Sequence, residues 1–421
     1  MARERAKPRE TATWIVRCLR ERGYTAYFAG GCVRDELLGL EPKDYDVATD
    51  ARPEQISAVF PRTALVGAAF GVILVRHDGV TTEVATFRSD GRYSDKRRPD
   101  SVHFADAQAD AQRRDFTVNA LFLDPLRPEG DPERIIDFVS GQRDLAARVL
   151  RAVGDADKRL AEDDLRALRA VRLSARLGFA IDQETRDAIR RHARDLSGIS
   201  RERIGDELRL MLTHTSRAKA VGLLVELELD EPSFRRVRAA SLGTLEKSES
   251  GEFADALAAA LVDREGLELV SGSAKGRGLR LDVLRETRAA LCLSNEERDG
   301  CLAVLESLAA QLGNWEMMGV AGQKRLAAAP GFSAALGICR ALDKDRADRI
   351  AGRVRDLSGS AGGISPEPFI NGDDLVGMGL KPSPKFKRVL EEVYDAQLEG
   401  RVQDRAESLR LARELGGEGG V

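Results

Sequence analysis

The sequence contains few cysteine and aromatic residues and has no long hydrophobic run. Its five cysteines are scattered and show no Cys-x-x-Cys spacing, which is typical of reduced thiols in a cytoplasmic protein. No uninterrupted apolar stretch reaches the ~18–20 residues of a membrane span, and the N-terminus leads into no signal-like apolar segment. These absences argue against secretion and against membrane insertion.

Positive charge is not in excess either. The 66 Lys and Arg residues face 69 Asp and Glu residues, which gives a formal net charge of −3. This balance argues against a protein coated with cations for non-specific nucleic-acid binding, although a local basic groove stays compatible with it. At 421 residues the chain is too long for one ordinary core, and its helix-forming composition with only 5% aromatics favours a mostly helical protein.

The pattern of apolar residues changes along the chain. A strand over 24–28 precedes a glycine pair and a helix over 32–38, and two β-rich runs, 71–76 and 80–87, flank a hairpin turn. From about residue 146 to 212 the apolar period is near 3.6, which indicates helices. We therefore predict an α+β fold in which a small mixed sheet with helices is followed by helical parts.

The first candidate site lies in residues 30–50. In an extended strand Asp44 and Asp46 point to one face and could hold Mg2+, while Gly30 and Gly31 allow the backbone to approach an anion. Glu83, on a neighbouring predicted strand, could supply a third carboxylate. The alternative is a solvent-exposed strand without a ligand, because such acidic pairs are common by chance.

The second candidate site lies in residues 113–121. The Arg114 guanidinium could hold phosphate oxygens, and Asp115 and Asn119, four apart, could share a helix face and bind a ribose hydroxyl. From spacing alone, a salt bridge at a helix start is at least as good an explanation.

The third candidate site is formed by Glu162, Asp163 and Arg166, followed by Arg169. If all lie on one helix, Asp163 as acceptor and Arg166 as donor match the edges of cytosine and adenine and repel those of uracil and guanine. The alternative is an ordinary salt bridge between residues three apart on a solvated helix, worth only ~0.2–0.5 kcal/mol.

Several of these motifs together resemble the class II tRNA nucleotidyltransferase and bacterial poly(A) polymerase family, within the polymerase-β-like nucleotidyltransferases. The stretches that carry the resemblance are residues 30–35, 37–39, 43–49, 113–121, 137–145, 162–179 and 201–208. The resemblance implies catalytic metals on the aspartates, triphosphate near the glycines, and a protein template for the incoming base. The predicted site residues are Asp44, Asp46 and Glu83 for catalysis, with Asp44 and Asp46 as metal ligands, and Gly30, Gly31, Arg34, Arg114, Asp115, Asn119, Glu162, Asp163, Arg166 and Arg169 for nucleotide binding.

The resemblance also implies a domain order. We expect a nucleotidyltransferase head over 1–137, a neck over 138–215, a helical body over 216–357 and a tail over 358–421. Residues 137–145 would form a hinge, and residues 201–208 would stabilise the neck helices. In the tail, Lys381, Lys385, Lys387 and Arg388 could contact RNA backbone, although a solvated basic face explains them equally well.

Some relatives carry a His-Asp metal phosphohydrolase domain near residues 253–265. This chain has four histidines in all, and Val262 stands where that domain would need one. We therefore predict no phosphohydrolase activity and no histidine-bound metal.

The predicted function is addition of C, C and A to the 3′ end of tRNA from CTP and ATP with Mg2+, in the cytoplasm. The partner is tRNA, through its acceptor end and elbow, with no membrane and no obligate protein partner. Alternatives are a poly(A) polymerase, a tRNA enzyme that adds only A or only CC, and a catalytically inactive RNA-binding protein. The charged stretch 88–100, read as a mobile loop, argues against CC-only addition on the resemblance.

Overall fold

A computed structural model describes residues 7–64, 71–91, 101–236, 239–359, 362–378 and 384–417. The chain forms two compact units. The first comprises Met1–Glu207 and Gly222–Ser233, and the second comprises Leu208–Val221 and Phe234–Val421. Within the described residues, no helix is long and apolar enough to cross a membrane. The finer four-part division stays a prediction.

The first unit is built on a seven-stranded mixed sheet. Its strands are β1 (Ala26–Ala29), β2 (Asp46–Thr49), β3 (Thr63–Ala64), β4 (Val72–His77), β5 (Val80–Thr86), β8 (Phe122–Leu123) and β9 (Ile135–Ile136). Their order is β3-β4-β5-β2-β1-β8-β9, with β2 parallel to β5 and the other neighbours antiparallel. Two small pairs lie outside this sheet: β6 (Arg88–Asp90) with β7 (Val102–Phe104), and β10 (Val149–Leu150) with β11 (Ala180–Ile181).

Helices lie between and after these strands along the chain. Up to residue 234 they are α1 (Pro8–Arg20), α2 (Gly31–Leu37), α3 (Pro53–Val59), α4 (Ala107–Gln112), α5 (Gly141–Ala147), α6 (Ala156–Glu162), α7 (Leu165–Leu177), α8 (Gln183–His192), α9 (Arg201–Leu212), α10 (Arg217–Glu226) and α11 (Asp230–Phe234). A core behind the sheet is centred on Phe87 and Phe122, whose rings meet edge to face at 5.7 Å.

The second unit is helical throughout its described part. Its helices are α12 (Gly243–Lys247), α13 (Phe253–Glu265), α14 (Ala274–Leu291), α15 (Asn295–Gly313), α16 (Val320–Ala328), α17 (Phe332–Leu342), α18 (Lys344–Ser358), α19 (Gly372–Gly377), α20 (Pro384–Leu398) and α21 (Arg405–Gly417). The α+β prediction, a mixed-sheet head followed by helices, is therefore confirmed.

The hairpin predicted between the two β-rich runs is confirmed. It joins β4 to β5 and turns at Asp78 and Gly79, both with positive φ (47° and 81°). In the second unit, α15 begins with a capping box, in which Ser294 and Glu297 make reciprocal bonds at 3.1 and 2.8 Å.

Two local predictions need correction. Strand β2 begins at Asp46, so Asp44 precedes the strand instead of lying in it. The start of the predicted loop, Arg88–Asp90, is strand β6, because its backbone pairs with β7. The rest of that loop, 92–100, lies outside the described residues.

A close backbone contact in the second unit produces a stability prediction. Gly331, at the start of α17, has φ +78°, and a Cβ there would lie 2.7 Å from the backbone N of Val304 in α15. We expect Gly331→Ala to destabilise the protein by about 1–3 kcal/mol through backbone strain and overpacking.

The matched control is Gly337→Ala in the same helix, where a Cβ meets nothing within 4 Å. It should be neutral or stabilising by about 0.5–1 kcal/mol. Thermal midpoints compare the two, and equal effects would contradict the contact.

Candidate functional site

The glycine turn after β1 is shaped by an arginine. Gly30 has φ +78°, and a Cβ added there would lie 3.0 Å from Nη1 of Arg114. A side chain is therefore disfavoured both by the backbone conformation and by the close guanidinium. The Gly30 N–H donates to the carbonyl of Leu121 at 3.2 Å. Gly30 is therefore not itself an anion donor, and the donors left for an anion are the first N–H groups of α2, beginning with Gly31.

Three carboxylates, those of Asp44, Asp46 and Glu83, are neighbours near this turn, where β2 begins beside β5. Asp44 and Asp46 are exposed while Tyr45 between them is buried, as the alternation predicts, and the Tyr45 hydroxyl donates to Glu36 at 2.7 Å. The parallel register Val47↔Val84 places Asp46 beside Glu83 of β5. Within the described residues, the side chains of Asp44, Asp46 and Glu83 make no hydrogen bond or ion pair.

The crowding of these carboxylates changes the acidity of Asp46. Burial of its carboxyl group, together with the charges of Glu83 and Asp44, raises the pKa of Asp46 to about 6, against a smaller opposing effect of Arg114. Water can reach the side chain of Asp46, but the side chain lies in a cleft, so the surrounding protein atoms limit its solvation. Three hard oxygen ligands without a cationic partner suit a divalent cation.

A hydrogen-bond network links the glycine turn to the second motif. Arg34 is buried and donates through Nη1 to the Asn119 side-chain oxygen at 2.5 Å, and its Nε donates to Asp35 at 2.8 Å. The Asn119 amide in turn donates to Asp115 Oδ1 at 3.1 Å. The predicted pairing of Asp115 with Asn119 is therefore present, although Thr117–Asn119 forms a 3-10 turn and not the expected helix.

Arg114 is held in place by a buried carboxylate. Its Nε and Nη2 donate to Asp110 at 3.1 and 2.9 Å, and its Nη1 donates to the carbonyl of Asn119 at 3.3 Å. Burial acts to raise the pKa of Asp110, but Arg114 and Arg113 outweigh it and lower that pKa. The guanidinium is thus fixed beside Gly30 in a defined orientation.

An ion pair joins the second motif to the third. Arg169, on α7, donates through Nε and Nη2 to Asp115 Oδ2 at 2.9 and 2.6 Å. Burial alone would raise the pKa of Asp115, but the charge and hydrogen bonds of Arg169, with further bonds from Asn119 and the Phe116 N–H, lower it to about 2. Asp115 is therefore ionised at neutral pH and fully engaged by protein groups.

The third motif does not lie on one helix. α6 ends at Glu162 and α7 begins at Leu165, with Asp163 extended between them (φ −155°, ψ 100°). The expected spacing of Glu162, Asp163 and Arg166 on a single helix is therefore wrong, since an extended residue at 163 ends the helical repeat.

The break gives the acidic residues different partners. Glu162 accepts from Arg166 Nη1 at 2.5 Å, while Asp163 accepts from Arg203 at 3.1 and 2.7 Å. A salt bridge does form in this motif, but it joins Glu162 to Arg166, four residues apart, and among the described residues Asp163 pairs with Arg203.

One cavity of about 470 Å³ collects most of the predicted site. Ten of the thirteen predicted residues line it: Gly30, Gly31, Arg34, Asp46, Arg114, Asp115, Asn119, Asp163, Arg166 and Arg169. Asp44, Glu83 and Glu162 are not among the lining residues. The cavity is lined by eight arginines and three aspartates, so it favours a polyanionic ligand.

Residues that the predicted set omitted also line the cavity. They are Arg113, Leu165, Arg172, Leu173, Arg176 and Arg203. Arg166, Arg169, Arg172 and Arg176 recur every three or four residues, which places them on one side of α7, and this period was readable in the sequence. Arg203 lies 40 residues beyond Asp163, so no local signal indicates their pairing.

A second group of possible ligands lies in the same unit. Oxygens of Asp164 and Asp195 and a ring nitrogen of His192 lie within 4.8 Å of one another, close enough to hold a metal ion. The His192 Nδ1 is 3.0 Å from Asp195, a hydrogen-bond distance that explains the group without a metal. The prediction that no metal is bound by histidine stays a prediction.

The C-terminal basic run is only partly described. Lys381 and the side chain of Lys385 lie outside the described residues. Lys387 lies 3.8 Å from Glu391, and Arg388 donates to Glu392 at 2.8 Å. These pairs fit a solvated helix face, and contact with RNA stays a prediction.

Comparison with known proteins identifies the family. Residues 26–151 match the poly(A) polymerase head domain, and residues 178–240 match a probable RNA- and SrmB-binding site of polymerase A. The CCA-adding enzyme of Geobacillus thermodenitrificans is 44% identical over 223 residues, 53% of this chain and 54% of that enzyme. The match thus spans about half the length of such curated relatives.

Solved structures extend the likeness over the whole chain. The crystal structure of the Bacillus stearothermophilus CCA-adding enzyme in complex with CTP matches with a TM-score of 0.72 and 30% identity, covering 97% of this chain and 98% of that one. The Thermotoga maritima CCA-adding enzyme complexed with tRNA-CCA shares the fold, with a TM-score of 0.68 at 20% identity over 98% of this chain and 96% of that one. The chain belongs to the tRNA nucleotidyltransferase and poly(A) polymerase family.

Proposed function

We propose that this protein is a template-independent RNA nucleotidyltransferase that adds C, C and A to the 3′ end of tRNA, from CTP and ATP. One observation supports the proposal: Asp46, Asp163 and Arg166 all line a single cavity that is rich in arginine. The 3′-hydroxyl oxygen of the RNA forms a bond to the α-phosphorus of the nucleotide, the bond to the bridging oxygen breaks, and pyrophosphate leaves. The likeness to CCA-adding enzymes supports this choice, and such a reaction is expected in the cytoplasm.

Asp44 and Asp46, with Glu83 beside them, are proposed to hold Mg2+. Their fit to a hard cation rests on three neighbouring carboxylates that make no ion pair with a described side chain, and on the charges of Glu83 and Asp44, which together with burial raise the pKa of Asp46. When bound, the metal would favour ionisation of the attacking hydroxyl and stabilise the charge of the leaving pyrophosphate.

The triphosphate and ribose are proposed to lie between the glycine turn and the second motif. Arg114, fixed by Asp110, presents its charge beside Gly30, and the first N–H groups of α2 add donors. Arg34 and Asn119 complete this end of the cavity, with Asp115 holding Asn119 in place.

Base selection is proposed to rest on Asp163 and Arg166. Asp163 Oδ1 accepts from the Leu165 N–H and from Arg203, while Oδ2 accepts from Arg203 alone. Since a carboxylate offers about four lone-pair positions, one acceptor position on Oδ2 stays available. Among the described residues, Arg166 donates only through Nη1, to Glu162 and to the carbonyl of Arg159, which leaves Nε and Nη2 as donors. One acceptor beside donors matches cytosine and adenine.

A nucleotide-addition assay tests the proposed function. Purified protein incubated with tRNA that ends at the discriminator base, CTP, ATP and Mg2+ should extend the RNA by C, C and A. Asp46→Ala should abolish extension while tRNA binding in a filter assay stays near that of the wild type, because the change removes a carboxylate and no basic group. Long A tails on unrelated RNA would instead establish a poly(A) polymerase. Binding without extension would establish an inactive RNA-binding protein.

The pKa of Asp46 produces a stability prediction for the protein in EDTA. The folded-state pKa of about 6 lies above the ~3.9 of an unfolded aspartate, so the ionised carboxylate opposes folding above pH 6, and this cost fades as the pH falls from 6 towards 4. Asp46→Asn should therefore have a higher thermal midpoint than the wild type at pH 7.5, with a smaller difference at pH 5. A difference that does not depend on pH would show that Asp46 is not crowded by its neighbours.

A further inference from the structure

Helix α9 presents two oppositely charged side chains to the cavity wall. Arg203 and Glu207 are four residues apart and share a helix face. Arg203 donates to both oxygens of Asp163, and Glu207 accepts from Arg172 Nε at 2.6 Å. Asp163, Arg172 and Arg203 all line the cavity. Both contacts therefore reach side chains of the cavity wall, besides linking α9 to its neighbours.

The backbone alone does not fix the direction of the Asp163 carboxylate. Asp163 lies in the break between α6 and α7, so no regular helix orients its side chain. Besides Arg203, only the Leu165 N–H bonds to the carboxylate among the described residues, at 3.1 Å to Oδ1. One bond to one oxygen leaves the carboxylate free to rotate, whereas the two parallel bonds from the planar guanidinium fix its plane.

We propose that Arg203 is a positioning residue for nucleobase selection. It occupies two of the four acceptor positions of Asp163 and leaves one, on Oδ2, directed at the incoming base. It acts through Asp163 and not on the base itself. The proposal rests on the proposed function, since it requires Asp163 to read the base.

The chain offers a matched control for the loss of an Arg–Asp pair. Arg191 donates to Asp157 at 2.9 and 2.7 Å, with both oxygens engaged, much as Arg203 engages Asp163. That pair lies in the same unit, but neither residue lines the cavity. Arg191→Ala therefore removes an ion pair of similar geometry, although a more exposed one, without touching the cavity wall.

The experiment measures kcat/KM for CTP and for UTP with tRNA that ends at the discriminator base. We expect Arg203→Ala to lower the ratio of CTP to UTP by about tenfold, the scale of one good base contact. Arg203→Lys should fall in between, because a single ammonium cannot make both parallel bonds. Arg191→Ala should keep the wild-type ratio. Arg203→Gln, which keeps length and polarity, replaces Arg203→Ala if the latter unfolds, as judged by its thermal midpoint.

A double-mutant comparison separates positioning from direct contact. Asp163→Ala should relax the CTP to UTP ratio by itself, and Arg203→Ala added to it should change the ratio no further. If Arg203 instead touches the nucleotide, Arg203→Ala lowers kcat/KM for CTP and UTP alike and does so again in the Asp163→Ala background, which overturns the proposal.

The remaining outcomes show which claim has failed. A wild-type protein that adds no nucleotide refutes the proposed function and this proposal with it. An unchanged ratio in Asp163→Ala refutes the base-reading role on which both depend. A relaxed ratio in Asp163→Ala with an unchanged ratio in Arg203→Ala overturns only the role of Arg203.

Discussion

The ion pair between the buried carboxylate of Asp115 and the half-buried guanidinium of Arg169 is the contact on which the cavity depends. Asp115 belongs to the segment beside the sheet and Arg169 to α7, so the pair ties the two walls together. From Asp115 the bonds continue through Asn119 and Arg34 to Asp35, which lies 3.4 Å from Arg176, two turns after Arg169 on the same helix. This chain of contacts therefore begins and ends on α7. Because burying an unpaired charge is costly, removal of Arg169 would leave the buried carboxylate of Asp115 without its cation, and the pair therefore stabilises the positions of both walls.

This arrangement separates two chemical tasks along one cavity. Near the sheet, carboxylates that repel one another create a place that a cation would stabilise, and Arg114 lies close enough to affect the pKa of Asp46. Near the start of α7, the carboxylates are already paired with arginines, so they provide oriented hydrogen-bond acceptors more than negative charge. Under the proposed function, the phosphate chemistry common to all nucleotides would take place at the first end and discrimination between bases at the second. A change at the first end would then alter rate, and a change at the second would alter selectivity.

The sequence predicted the faces of the residues around the start of β2 well, but it predicted the side of the cavity formed by α7 only in part. The alternation of Asp44, Tyr45 and Asp46 follows from the period of an extended backbone, so their faces were predictable without a structure. The break at Asp163 was not predicted, because Glu162 to Arg166 is compatible with an unbroken helix and Arg203, which bonds to Asp163, lies 40 residues away. The period of the α7 arginines was visible, but only the structure shows that their shared side lines a cavity with Gly30 and Asp46. Long-range pairs of this kind leave no local signal in one sequence.

A crystal structure of the protein with CTP tests the central claim, that one cavity holds the phosphates at the sheet and the base at α7. The expected result places the triphosphate between the start of α2 and Arg114. It also places the cytosine amino group within hydrogen-bond distance of Asp163 Oδ2 and the ring nitrogen N3 facing Arg166. A base bound away from α7, or a triphosphate far from Asp46, would contradict the claim.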